Sequence, residues 1–414
     1  MRFDKFTLGN GLRVIVHHDP ATPIVAMNVL YDVGARDEDP DKTGFAHLFE
    51  HLMFGGSVNV PKFDGTLEAV GGENNAFTNN DVTNYYLTLP RENLETAFWL
   101  ESDRMYRLAF SEKSLEVQRN VVTEEFRQTH LNQPYGDVWM LLRPLAYQVH
   151  PYRWSTIGKE ISHIQNAVME DVREFYNKYY NPNNAVLVVA GNVDTAEVKQ
   201  LAEKWFGSIE NTGLNKRVLP QEPEQKEARR LEVEREVPSD AIYKAWHMCG
   251  RNDEDYHATD LLSDVLGNGN SSRLYQYLIK DRKMFSELDA YITGSFDRGL
   301  LVVSGKPNPG ISLEEAEKAI DAQVEAFRNQ ITGTQELQKV KNKIESNIEF
   351  SRMNVLDKAI NLAFAELLGD AEMVNREIEK YRAVTAEQLL IVARGVLRPD
   401  NSSALYYRAK TNHS

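Results

Sequence analysis

Apolar residues along the chain fall into two rhythms, short β-branched runs and helical stripes. Leu12 to Val16 and Ile24 to Tyr31 are aliphatic and β-branched, and Gly34 follows the second, so both read as strands. From Asp41 to Phe54 the apolar residues Phe45, Leu48, Phe49, Leu52 and Met53 recur at i, i+3, i+4 and i+7, which predicts a helix stopped by Gly55-Gly56. Alternation from Asn75 to Leu89 suits a strand or hairpin. Helices are predicted over Leu94 to Leu108, Glu112 to Gln128 and Asp171 to Tyr180. The turn Asn181-Pro182-Asn183-Asn184 breaks the last of these before a strand from Ala185 to Ala190.

The pattern then repeats. Residues 208–227 are charged and rich in Pro, Gly and Gln, and read as a linker between an N-terminal domain, 1–207, and a C-terminal domain, 228–414. The first half closes VMEDVREFYNKYY into NPNNAVLVVAGNV, and the second closes VTAEQLLIVARGV into LRPDNSSALYYRA. Both are a helix, a Pro-Asn turn and a strand, which points to a duplication. Strands and helices mixed without a regular βαβ rhythm predict an α+β fold.

Charge removes several function classes. Lys and Arg total 47 against 61 Asp and Glu, a formal charge of −14, so neither nucleic acid nor an anionic membrane finds a basic face. Cys249 is the single cysteine, which excludes an intrachain disulfide. The purest aliphatic run, Ala185 to Ala190, is far short of the ~20 residues of a membrane span. Asp4 and Lys5 interrupt any signal-like start, so a cytoplasmic location is expected, or a periplasmic one where a leader has been removed.

The chemistry centres on His47-Leu48-Phe49-Glu50-His51. With about 100° per residue and His47 at 0°, Glu50 falls near 300° and His51 near 40°, while the apolar residues occupy roughly 100° to 240°. Two imidazoles one turn apart can hold a zinc ion at about 2.0–2.1 Å, and a neighbouring carboxylate can act as general base. Two ordinary histidines on a solvated face are the plain alternative, although ten histidines in 414 residues make a chance His-x-x-Glu-His rare. A catalytic zinc site takes a third protein ligand. The helix from Ser114 to Gln128 offers Glu125 on its buried side and Glu124 about 100° away; both also suit a solvated helix surface.

These residues stand in a longer order. After His47, Glu50 and His51 come Gly71, Gly72, Asn75, Ala76, Thr78, Asp81, Thr83, Tyr85 and Tyr86, and then Arg119, Val121, Val122 and Glu125. The order resembles the pitrilysin, insulinase and mitochondrial-processing-peptidase family, the inverzincins, over essentially the whole chain, in its short two-domain bacterial form. The resemblance implies two homologous domains of about 200 residues, each a mostly antiparallel sheet covered by helices. It implies a zinc metalloendopeptidase with one Zn2+ per chain, held by His47, His51 and Glu125, with Glu50 as base. It selects Glu125 over Glu124. A second glutamate often lies seven residues before the third ligand in the family, and here Gln118 occupies that place without a charge. Asn75, Ala76, Phe77 and Thr78 are expected to form an edge strand on which a peptide substrate adds as a further strand.

The second half departs from the zinc pattern. Asp260, Ser263 and Asp264 stand where the two histidines and the glutamate would be. The segment GNGNSSRLYQYLIKDRKMFSELDAY is similar to the family's Ser-Arg-Leu segment, which continues into Arg-x-x-x-Gly-Leu-x-Tyr. The Arg and Tyr places are held by Ile279 and Ser286, which cannot donate as those side chains do. A heterodimer is therefore expected, in which a homologous chain lacking the zinc motif supplies Arg and Tyr and closes a chamber around the peptide. A self-sufficient homodimeric processing peptidase is the rival, and a non-catalytic scaffold subunit of the same fold is the alternative from another class.

Overall fold

The computed structural model describes residues 1–213 and 217–410. Residues 214–216 of the expected linker and residues 411–414 of the expected C-terminal domain lie outside the described residues. The chain forms two compact units. One comprises Met1–Gln128, Trp154–Leu219 and Glu349–Arg376, and the other Thr129–Arg153, Pro220–Ile348 and Glu377–Ser414.

The first unit holds a six-stranded sheet of β1 (Asp4–Thr7), β2 (Arg13–His18), β3 (Ile24–Tyr31), β4 (Glu73–Thr78), β5 (Thr83–Pro90) and β6 (Ala185–Gly191), in the order β1-β2-β6-β3-β5-β4. Every neighbouring pair is antiparallel except β2 with β6. The second unit holds β7 (Arg229–Arg235), β8 (Ala241–His247), β9 (Phe285–Ile292), β10 (Leu300–Pro307) and β11 (Ser402–Ala409), in the order β7-β11-β8-β10-β9, with β7 and β11 parallel and the rest antiparallel. Without β1 the two orders coincide strand for strand, and the one parallel pair falls in the same place. The duplication read from the two chain endings is thus a duplication of topology, and the α+β class with two like units holds.

Local sequence explains the strands that matter. β6 reads AVLVVAG and is buried along its whole length, as a strand covered on both faces must be. Among the described residues β4 pairs only with β5, and its other edge carries no strand partner. A helix Val355–Leu367, from late in the sequence, lies over β3 and β6 of the first unit, with Ala359, Leu362 and Ala363 buried. In return the helix Val138–Ala146 packs on β8 and β11 of the second unit through Leu142 and Ala146. Each unit thus takes one helix from the other half of the sequence. The stretch between the halves is pinned where it is described. Arg217 pairs with Asp32 and Asp37 in the first unit, and Glu222 accepts the N–H groups of Gln148, Val149 and His150 in the second.

The helix that carries the His-x-x-Glu-His motif spans Phe45–Leu52, later than the expected start at Asp41. Its cap, Gly44, has φ +90, and a Cβ there would sit 2.6 Å from the Ile157 carbonyl oxygen, so the chain enters the helix through a turn only glycine allows. Phe49 is fully buried, stacked on Phe175 and Tyr180 at ring separations of 5.0 and 5.3 Å. Phe49→Ala is expected to destabilise the first unit by about 3–5 kcal/mol, read as a lowered denaturant midpoint. Among the described residues no helix is long and apolar enough to cross a membrane.

Candidate metal centre

The apolar stripe of the motif helix fixes which way its polar trio points. Phe45, Leu48, Phe49 and Leu52 are buried, and His47, Glu50 and His51 lie on the remaining arc at intermediate exposure. The helix Glu112–Phe126 packs beside it. Its first turn is capped by Ser111, whose hydroxyl accepts the Ser114 N–H at 3.0 Å, and near its far end Glu125 meets both rings. His47 Nε2 lies 3.6 Å from Glu125 Oε1, and His51 Nε2 lies 3.3 Å from Oε2. The imidazoles are nearly perpendicular, at 87°, with centroids 4.8 Å apart.

This donor set suits a zinc ion. One ligand atom from each of His47, His51 and Glu125 can be chosen so that all lie within 4.8 Å of one another. Tetrahedral zinc with bonds of about 2.0–2.1 Å separates its donors by about 3.3–3.4 Å, close to the two carboxylate–imidazole separations. Two imidazoles and a carboxylate are also a borderline-soft set of the kind zinc takes. Glu124 points elsewhere: its carboxylate meets Arg127 and Gln128 on the exposed side. Gln118, seven residues before Glu125, is half-buried and makes no side-chain hydrogen bond among the described residues.

Glu50 sits beside this set. Thr78 Oγ1 donates to its Oε2 at 2.6 Å. Burial pushes the Glu50 carboxyl above the usual carboxylate range and nearby Glu125 adds to this, while the Thr78 hydroxyl and His51 pull it back. Asn75, Ala76, Phe77 and Thr78 all lie on β4, the sheet's edge strand, which packs against the motif helix. Phe77 is stacked on Phe364 of the helix Val355–Leu367, with centroids 6.3 Å apart. Tyr86 faces Asn75 across the β4–β5 pair, and burial followed by the charge of Glu50 raises its hydroxyl pKa. The Thr78–Glu50 bond joins residues 28 apart and leaves no local pattern in the sequence.

The second unit has the same scaffold without the set. Its helix Tyr256–Leu266 lies between β8 and β9 in the chain, as the motif helix lies between β3 and β4. Asp260 accepts the Tyr381 hydroxyl at 2.6 Å, and Asp264 is bound by Asn268 at 2.6 Å and faces Lys343 at 3.4 Å. Among the described residues, His47, His51 and Glu125 form the one group with metal-ligand spacing. Ile279 packs on the second unit's core and Ser286 donates to the Lys306 carbonyl at 3.2 Å. Lys283 stands at the motif's glycine place with φ 52, the left-handed conformation such a place selects for. Arg273 of the Ser-Arg-Leu segment forks onto Glu336 at 2.9 and 2.7 Å, which ties it into this unit.

Residues 13–159 match the insulinase family, peptidase family M16, and residues 166–344 match the M16 inactive domain. The zinc protease PqqE of Helicobacter pylori is 32% identical over 352 residues, covering 82% of this chain and 78% of its own. The chain belongs to peptidase family M16. An uncharacterized zinc protease of Bacillus subtilis, YmxG, is 27% identical over 414 residues, 97% of each chain. The crystal structure of a protease from Helicobacter pylori superposes with a TM-score of 0.92 at 28% identity, covering 98% of this chain and 99% of that one. Pitrilysin shares the fold at 18% identity and a TM-score of 0.79, and this chain spans 45% of it. The family resemblance read from the motifs therefore holds. Relatives in the family are named zinc proteases, and the inactive-domain match falls on the part of the chain that includes the second unit's Asp260, Ser263 and Asp264.

Proposed function

We propose that this chain is a zinc-dependent endopeptidase in which His47, His51 and Glu125 hold the ion and Glu50 is the general base. The observation that carries the reading is the meeting of Glu125 with both imidazoles, at 3.6 and 3.3 Å, directly beside a carboxylate that the set leaves unused. A bound zinc ion supplies Lewis acidity, polarising the scissile carbonyl and lowering the pKa of water.

The chain's own residues do the rest. The outer edge of β4, without a strand partner among the described residues, is a place where an extended peptide can lie as a seventh strand, displacing the Asn75 side chain from the Ala76 N–H it now accepts at 2.8 Å. Glu50 takes a proton from the attacking water and returns it to the leaving amine. Thr78 keeps the carboxylate aimed while that happens. Thr78→Val removes one hydrogen bond to a charged group, a loss of about 1.5–3 kcal/mol. It is expected to lower kcat by about tenfold or more with little change in KM, as steady-state peptide hydrolysis will report.

The partner follows from what the second unit lacks. With Ile279 and Ser286 at the Arg and Tyr places, the chain acts as the zinc-bearing subunit of a heterodimer whose sister chain brings that pair. The test is peptide cleavage by the purified zinc protein, alone and mixed with a homologous chain that lacks His-x-x-Glu-His. Activity confined to the mixture supports the shared site. Full activity alone makes the protein a self-sufficient homodimer, and inactivity in both returns the scaffold reading.

A further inference from the structure

A buried carboxyl group outside the zinc set braces the helix that carries it. Glu38 is 6% exposed, and both of its oxygens are engaged by helix-start amides: Oε2 accepts the Gly44 N–H and Oε1 the Ala46 N–H, each at 2.9 Å. Amides at a helix start have no partner within the helix. Gly44 has no side chain to offer them, and its φ of +90 excludes the Ser, Thr or Asp that would ordinarily do so. The cap therefore comes from six residues upstream. It is costly: burial pushes the Glu38 carboxyl up to about 8, against the pull of the two amides.

The brace is itself anchored. Glu38 follows the turn Ala35–Asp37, where Asp37 accepts the Gly34 N–H at 3.0 Å. Arg36 is buried and paired with Asp32 at 3.2 Å and Asp81 at 3.0 Å. Asp32 directly follows β3, so rigid groups run from the sheet to the first turn of the motif helix. That turn contains His47, the residue after Ala46, in a helix of only eight residues, whose isolated form would be unstable in water. The corresponding helix of the second unit, Tyr256–Leu266, holds no zinc set and starts on Asp255 without a side-chain cap.

We propose that Glu38 is a positioning residue that fixes the first turn of the motif helix, and through it the His47 imidazole, for zinc. The inference rests on the zinc reading above and deepens it. The test uses the full-length protein, stripped of metal and titrated with zinc against a chromophoric chelator, with cobalt(II) as a spectroscopic probe and peptide hydrolysis as a second readout. Glu38→Gln keeps the volume but puts an NH2 donor in place of one of the two oxygens that accept the Gly44 and Ala46 amides. It is expected to weaken zinc binding by about 10–100-fold, the usual loss for a group behind a ligand. It is also expected to alter the cobalt absorption bands and lower kcat with KM unchanged, while far-UV circular dichroism shows a folded chain. Glu38→Asp keeps both accepting oxygens on a stem one carbon shorter, which cannot reach both amides, and is expected to fall between the two. Wild-type zinc affinity and cobalt bands in Glu38→Gln would overturn the inference alone. Unfolding of both variants would also overturn it, by making Glu38 a support of the whole unit. Failure of the unsubstituted protein to bind zinc would overturn the zinc reading itself and this inference with it.

Discussion

Glu50→Gln is expected to lower kcat for peptide hydrolysis by about 10²–10⁴-fold, the range general acid–base catalysis contributes, while the protein still binds one zinc per chain. The substitution keeps the side chain's size, and the amide oxygen can still accept the Thr78 hydroxyl that now reaches Glu50 at 2.6 Å. What it removes is the site for a proton. Glu50 is not one of the three groups with metal-ligand spacing, so its loss leaves His47, His51 and Glu125 in place. Metal analysis and kinetics on the same preparation check both halves. Loss of zinc together with activity would make Glu50 a ligand rather than a base.

Glu125→Ala is expected to have the larger effect on the metal. It deletes the one carboxylate that faces both rings, and leaves two imidazoles with no third protein donor among the described residues. Zinc affinity should fall by well over the ~10–100-fold that loss of an outer partner costs, so that dialysed protein retains little or no metal and no activity. Glu124→Ala is the matched control. Its carboxylate lies on the exposed side with Arg127 and Gln128, and removing it should leave both zinc content and turnover as they were. Atomic absorption on the two variants, prepared in parallel, separates them. Equal zinc in both would contradict the assignment of the third ligand.

Much of this site was visible in the sequence, because it is written in local periodicity. The apolar stripe of Phe45, Leu48, Phe49 and Leu52 fixed the opposite arc for His47, Glu50 and His51, and that stripe is buried in the fold. The wheel of the helix from Ser114 to Gln128 put Glu125 on its inner side, and there it meets the histidines. β3 was legible to its end residues, since Ile24 to Tyr31 is a β-branched, aliphatic run in a strand at the middle of its sheet. What remained hidden depends on contacts between distant residues. No periodicity signals that the helices Val138–Ala146 and Val355–Leu367 each join the unit built mainly by the other half of the chain. The left-handed Gly44 shortened the motif helix because Ile157, more than a hundred residues later, crowds it. Thr78 was read only as part of the edge strand, and its bond to Glu50, like the Glu38 brace, was silent for a related reason: a hydroxyl or a carboxyl that bonds across 28 residues, or across a turn to a helix start, has no spacing rule to betray it.

Anomalous diffraction at the zinc edge, from crystals of the zinc-loaded protein, locates the ion without reference to activity. One strong peak per chain is expected, within bonding distance of His47 Nε2, His51 Nε2 and a Glu125 oxygen, with Glu50 nearby but outside the ligand set. A peak elsewhere, or none at that place in protein shown to contain zinc, would contradict His47, His51 and Glu125 as the ligands.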